Sequence, residues 1–421
     1  MATVTEGAPR RRVVITGCGV VSPLGSTVSD FWAGLLDGRS GVRPIAAFDA
    51  SDLPTRIAAE VAGFDPADHL PRRVYRRIDP FAQYAVAAVL QAVEEAKLEI
   101  DEELAPRVGV LIGSAYGASS VQQAVSMAML VEEGIRRISP FASAATAIDS
   151  AAGEVVLQLG ATGPSGAVST ACASGTTAVG DAYRWIQHGY CDVAVAGGSD
   201  DSITKADVAS ACVARALSRR NDEPERASRP FDRDRDGFVV GAGAGAVVLE
   251  EAARAVERGA PILVELVGYG TSSDAYHPTA PHPDGLGARR AIRLALADAA
   301  AVPDEVDYVN AHGTSTVLND RIETAAIRAE LGAHATTIPI SSIKSMTGHM
   351  IGAAGTVELI ATMLALRSGV VPPTINCDNP EDPDLNYVPH RSQRHQIELA
   401  ISNSFGFAGH NAVLAVRAWK P

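Results

Sequence analysis

Residues 168–175, Val-Ser-Thr-Ala-Cys-Ala-Ser-Gly, end a β-run and open a helix of small residues near Cys172. Residues 338–355, IPISSIKSMTGHMIGAAG, repeat the pattern: the run Ile338–Ile343 enters a second Ala/Gly-rich helix near Lys344–Gly355. Each helix is followed by a glycine, Gly189 or Gly369, and then a further strand. Earlier in each half another strand runs into a turn. Val108–Ile112 meets Gly113-Ser114, and Val306–Asn310 meets Ala311-His312-Gly313-Thr314. Helices alternating with short β-branched runs mark an α/β chain. The repeat splits it near residue 255, into 11–255 and 256–421, behind a polar N-terminus (1–10) expected to fray. The repeat is faint at sequence level, and length alone equally allows two to three ordinary domains.

Further out, Arg12–Gly17 reads as a buried strand ending in a glycine turn, 80–97 as a helix and 107–113 as a strand. The composition is globular: 47% hydrophobic and 20% charged residues exclude a disordered chain. Thirty-six Lys+Arg against 49 Asp+Glu leave a charge of −13, which argues against general attraction to nucleic acid or anionic lipid. Aromatics at 5% argue against a base-stacking surface. The five cysteines, at 18, 172, 191, 212 and 377, are odd in number and show no CxxC spacing. A disulfide framework or structural zinc site is therefore not expected. The N-terminal residues lack a signal-peptide core, and no run of 18 apolar residues suggests a membrane span. These features predict a cytoplasmic protein.

Cys172 is the first candidate for chemistry. A thiol at a helix N-terminus feels the positive end of the dipole, which favours thiolate. Small neighbours leave room for a bulky substrate. The segment alone also suits a buried structural cysteine. The other four cysteines lack such a setting. Of ten histidines, His312 and His349 stand at strand ends, where α/β proteins gather catalytic groups. Either could equally be structural. Lys344 and Glu358 form a possible buried pair beside His349, or an ordinary surface pair. Ser402–Asn411 is a glycine-rich loop able to aim backbone N–H groups at an oxyanion, or a tight turn. Asp232-Arg-Asp-Arg-Asp-Gly237 opens like a calcium loop, but its twelfth position is Gly243, so it lacks the closing acid. Gly241–Gly245 precedes a strand, not a helix, so a phosphate cradle is not expected.

Five ordered motifs are more specific than any one: TACASG, RPFDRDRDGFV, NAHGTST–ND, KSMTGH–GAAG–E and NSFGFAGHN. From Val13 to about Val416 the chain resembles the β-ketoacyl-acyl-carrier-protein synthases of the elongating type, including ketosynthases of type II polyketide systems. The resemblance implies a thiolase-like fold, two pseudo-repeated halves in a five-layered α-β-α-β-α arrangement. It implies that Cys172 carries the acyl chain as a thioester. His312 and His349 then assist decarboxylation of a malonyl-carrier thioester, with Lys344 and Glu358 organising them. The N–H groups of Cys172 and Phe407 form the oxyanion hole, and Phe407 gates the acyl pocket. Thr314, Thr316 and Thr279 bind pantetheine, Phe405 and Tyr116 contact substrate, and Asp320 is a structural acid. Arg72, Arg73, Arg76, Arg77 and Arg215 dock an acidic acyl carrier protein; a solvated helix face is the competing reading of the first four. No metal or cofactor is implied, because loss of carbon dioxide drives the step and phosphopantetheine arrives on the carrier. A homodimer, or a heterodimer with a chain-length-factor-like subunit, is expected.

Some residues depart from the family pattern. Ala242 replaces a glutamate and Ala408 a glycine. Phe141–Ala147 is built of small residues, and Tyr116 stands where an aliphatic pocket residue is usual. These departures predict a pocket reshaped for an unusual acyl chain, such as a polyene or polyketide, rather than housekeeping elongation. A non-catalytic chain-length subunit is the other alternative, and Cys172 argues against it.

Overall fold

The computed structural model describes residues 10–118, 127–132 and 134–421. Of the expected frayed terminus, residues 1–9 lie outside this description. Of the ten-stranded sheet, five strands belong to the first half: β1 (Val13–Val21), β2 (Val108–Gly113), β3 (Ser165–Val168), β4 (Val193–Asp200) and β5 (Gly243–Glu251). Five belong to the second: β6 (Val264–Ser273), β7 (Tyr308–Asn310), β8 (Ile340–Ser341), β9 (Leu399–Phe405) and β10 (His410–Arg417).

The duplication is explicit in the strand order. The first half runs β3-β2-β4-β5-β1 and the second β8-β7-β9-β10-β6, so each reads third, second, fourth, fifth, first. In each half the second strand is parallel to the third and fourth. In each, the fifth is antiparallel to the fourth and the first. The halves meet where Val13, Val14 and Ile15 pair with Leu266, Glu265 and Val264.

Six helices complete the layers: α1 (Pro80–Ala96), α2 (Ser150–Leu159), α3 (Ser174–Gln187), α4 (Leu286–Asp298), α5 (Val317–Leu331) and α6 (Ala354–Ser368). Helices α1 and α2 pack on strands of the first half, and α4 on those of the second with α5 against it. Helices α3 and α6 touch each other and strands of both halves. Three apolar clusters fill the spaces between these layers. The result is the five-layered thiolase-like arrangement. Both faces of β1, β2, β4 and β5 are covered, which explains their almost continuous apolar sequences.

Three local readings change. Gly17 does not end a strand: β1 continues to Val21 through an irregular register at Ile15–Gly17. A Cβ on Gly17 would lie 2.1 Å from the Ala92 carbonyl oxygen, so the glycine allows α1 to lie directly on β1. The first central helix begins at Ser174, two residues beyond Cys172. The second does not run unbroken from Lys344. A short helix, Lys344–Thr347, ends at Gly348 (φ 64°), and α6 starts only at Ala354. The stretch Ile351–Ser368 is by length and hydropathy long enough to cross a membrane, yet it is mostly buried against strands of both halves.

Candidate active site

The site is assembled from four loops at strand ends, one from the first half and three from the second. The turn after β3 carries Cys172. Ala171 holds φ 50°, and Ser174 Oγ closes the turn by donating to the Ala171 carbonyl at 2.6 Å and accepting from Thr170 N at 2.9 Å. From the other half, the loop after β9 approaches the same turn. A Cβ on Gly406 would stand 2.8 Å from the Thr170 carbonyl and 3.1 Å from Cys172 N, so only glycine permits that approach. The backbone N–H groups of Phe407 and of Cys172 itself are directed at the sulfur.

His312 follows β7. Its N–H donates to Glu323 Oε1 at 2.8 Å, and Gly313 N donates to Oε2 at 2.7 Å. Lys344 Nζ donates to the His312 carbonyl at 2.6 Å and lies 3.3 Å from its Nδ1. The same ammonium is paired with the buried Glu358. His349 is fixed through its backbone: its N–H donates to the Val239 carbonyl at 2.7 Å, and its carbonyl accepts from Gly241 N at 2.8 Å. Its ring stands edge-on to Phe238 and to His312, each with centroids 5.4 Å apart. Both ring nitrogens of His349 lack a protein partner. One donor atom each from Cys172, His312 and His349 lies within 4.8 Å of the other two. All five residues, Cys172, His312, Lys344, His349 and Glu358, are buried.

Burial sets the electrostatics. Desolvation, then Lys344, depresses both imidazoles well below the usual histidine range, so they are uncharged at neutral pH. Desolvation pushes Glu358 up to about 7, opposed by Lys344. The thiol corrects an expectation. Instead of the lowered pKa that a helix terminus suggests, burial pushes Cys172 up to about 11, against the Phe407 N–H and Lys344. Two residues of separation from α3 and full burial outweigh the dipole.

The remaining predicted residues sort by position. Phe405 packs edge-on to His312 at 5.9 Å. Phe407 is half-exposed above the sulfur. Thr314 is buried and shares a 2.9 Å hydroxyl contact with Thr316. Thr279 is exposed, with its N–H on His277 Nδ1; the adjoining Pro278 carbonyl accepts from Ala408 N, tying this loop to the one that carries Phe407. Tyr116 is exposed, and its backbone N–H donates to Asp200 at 3.2 Å. Arg72, Arg73, Arg76 and Arg215 are exposed. Arg77 departs from the docking set: it pairs with the buried Glu154 at 2.8 Å. Asp320 accepts from Phe231 N and Ser315 N, which anchors the His312 loop. The calcium-like motif serves the same loop. Asp232 accepts from Arg229, Asp234 N, Asp378 N and Asn379 N, while Arg235 donates to the Thr316 carbonyl.

Two buried acids were missed. Glu323 supports the His312 backbone and also accepts from Asn403 at 3.1 Å. Its signal was available: with Asp320 it forms an i,i+3 acid pair on α5 next to apolar positions. Asp200, at the end of β4, gathers Ser114 Oγ, Ala115 N, Tyr116 N and Gly352 N. It clips the Tyr116 turn to the segment after His349, and no local pattern announces it.

The comparisons with known proteins agree along the whole chain. The family described as "Beta-ketoacyl synthase, N-terminal domain" matches residues 10–255, and "Beta-ketoacyl synthase, C-terminal domain" matches 263–378. The 3-oxoacyl-[acyl-carrier-protein] synthase 2 of Synechocystis is 48% identical over 412 residues, covering 98% of this chain and 99% of that protein. The protein of the same name from Coxiella burnetii is 48% identical over 408 residues, covering 97% and 98%. Among solved structures, a β-ketoacyl synthase from Burkholderia phymatum superposes with TM-score 0.90 at 36% identity, covering 97% of this chain and all of that one. A chain of the ishigamide ketosynthase/chain length factor superposes with TM-score 0.88 at 38% identity, covering 98% and all. A type II polyketide acyl-carrier protein in complex with its ketosynthase bound to the hexaketide gives 0.88 at 34% identity, covering 98% and all.

Proposed function

The chain belongs to the β-ketoacyl synthase family, and from that premise we propose that it condenses malonyl-acyl-carrier-protein with an acyl chain held on Cys172. The convergence of the Cys172 sulfur with two uncharged imidazoles and two backbone N–H groups carries this reading. In the first step the Cys172 sulfur attacks the acyl-carrier thioester. The acyl–sulfur bond to pantetheine breaks, and the thiol proton leaves with the carrier's sulfur. The Cys172 and Phe407 N–H groups receive the oxyanion. In the second step the malonyl C–C bond breaks with release of carbon dioxide. Its electron pair becomes an enolate whose oxygen accepts hydrogen bonds from His312 and His349. Because Lys344 faces Nδ1 of His312, the neutral ring carries its proton on Nε2, where it serves the enolate. The enolate carbon attacks the Cys172 thioester, and the tetrahedral adduct expels the sulfur, which regains a proton. The reaction needs no resident metal or cofactor.

Thr314, Thr316 and Thr279 line the pantetheine route, Phe407 gates it, and Phe405 and Tyr116 contact the acyl chain. The carrier docks on Arg72, Arg73, Arg76 and Arg215. The reaction takes place in the cytoplasm, and the working boundary between halves lies at 255/256. A second subunit completes the molecule. The edge strand β3 and the exposed apolar side chains Tyr116, Met127, Met129, Leu130, Val131, Ile135, Phe141 and Leu157 lie among the described residues 116–118, 127–132 and 134–168, and are of the kind an interface covers. We favour a homodimer; a chain-length-factor-like partner is the alternative. Tyr116 and Ala408 support an acyl chain of polyene or polyketide type, while the 48% identity to synthase 2 proteins supports saturated fatty-acid elongation.

Intact-mass measurement after incubation with acyl carriers tests both levels. One acyl adduct is expected on the native chain and none on Cys172→Ala; loading that persists in the variant refutes the mechanism. Efficient elongation of ordinary saturated chains by the isolated protein refutes the specialised pocket.

A further inference from the structure

We propose that Cys172, His312 and His349 also bind a soft divalent cation of the zinc type, and that its capture blocks the thiol. Among the described residues these three are gathered with their donor atoms mutually within 4.8 Å. A zinc ion bonds sulfur at about 2.3 Å and imidazole nitrogen at about 2.0–2.1 Å. Donors at the corners of such a triangle need each move inward by less than about 1 Å to meet those bonds. One thiolate with two imidazoles matches the ligand softness that selects zinc over magnesium or calcium. Three protein ligands also leave a fourth position for water.

The surroundings bear on the affinity. Both nitrogens of His349 are buried without a protein partner, so one is free to ligate at no cost in lost hydrogen bonds. Cys172 is the group that must lose a proton to ligate. One proton is released to solvent for each cation bound, and no electron is transferred. Lys344 works in the opposite direction. It stands 3.3 Å from His312 Nδ1, leaving Nε2 as the ligating nitrogen. A cation there drives the ring proton to Nδ1, facing the Lys344 ammonium. That opposition places the site in the range of a reversible inhibitor rather than a structural zinc site.

The test uses the full chain without carrier or malonyl substrate, so its outcome is separate from that of the condensation assay. Equilibrium dialysis against buffered zinc, with metal counted by atomic absorption, is expected to show one equivalent per chain. Cobalt in place of zinc is expected to give a thiolate-to-metal charge-transfer band in the near ultraviolet. Saturating zinc is expected to slow iodoacetamide labelling of Cys172 at least tenfold, with recovery on chelation. Cys172→Ala and His349→Ala, each checked for native circular dichroism, are expected to weaken binding at least tenfold. Should a variant misfold, native protein with its thiol already alkylated replaces it and must lose the cobalt band. Absence of stoichiometric binding, or binding and a band that survive loss of the thiol, overturns the proposal.

Discussion

On the proposed reading, Cys172 is a nucleophile that is protonated at rest. Its thiol lies at about 11, so the thiolate fraction at neutral pH is minute, and it grows tenfold with each pH unit below that value. Iodoacetamide labelling rates measured between pH 7 and 9 are therefore expected to climb with a slope near one in log units. A plateau near pH 7 would contradict the dominance of burial. Ala408 makes a second residue-scale test. It holds φ 59°, and a side chain in that region costs about 1–2 kcal/mol. Ala408→Gly is expected to raise unfolding stability in urea by about 1 kcal/mol. Ala171, Ser315 and Ile351 share such backbone angles beside the other site loops. The side chains that the structure gathers, Cys172, His312 and His349, were legible in the sequence because each sits in a short, ordered motif. Their charge states were not, since desolvation depends on what tertiary packing places over them. Glu323 shows the same limit: its role arises from the backbone of His312, eleven residues away.

At the scale of elements, the seam between α3 and α6 decides how the two half-sites meet. A Cβ on Gly175 would come within 2.7 Å of the Gly352 carbonyl and of Thr356 Oγ1. A Cβ on Gly355 would come within 2.0 Å of Thr176 Oγ1. The helices thus cross at their N-termini on paired glycines, with Thr176 and Thr356 interleaved. Gly175→Ala pushes α3, and with it the Cys172 turn, away from the segment that follows His349. Urea unfolding is expected to show a loss of about 1–3 kcal/mol, as for other overpacked cores. Condensation should fall further than stability accounts for, because the sulfur and imidazoles are held by opposite sides of the seam. An unchanged rate would mean the site tolerates helix separation. The alternation of helices and strands was legible here, but the ends of elements were not. Proline at 339 confines β8 to two residues, and Gly348 breaks the helix after Lys344 by its positive φ, both in favour of presenting His349.

For the whole molecule, the duplication turns a faint repeat into a shared cluster: one half supplies the sulfur, the other the imidazoles and Phe407. The sequence carried that repeat only weakly because the two halves share strand order rather than residues. Net charge poses the remaining problem at this scale. A chain of −13 must attract an acidic carrier through a local patch, and the exposed Arg72, Arg73 and Arg76 on and beside the short helix Arg72–Tyr75 form the candidate. Arg77, though adjacent, is one-third exposed and neutralises the buried Glu154. The two kinds of arginine separate experimentally. Reversing Arg72, Arg73 and Arg76 to glutamate is expected to raise KM for carrier-bound substrate roughly tenfold, with the effect shrinking at high salt. Turnover of a short acyl-pantetheine, which needs no docking, should remain unchanged. Arg77→Glu is expected instead to cost about 2 kcal/mol of stability, less than for a fully buried pair because solvent reaches its guanidinium. Equal KM effects from all four positions would show that the helix acts as one charged face and that the Glu154 pair is dispensable.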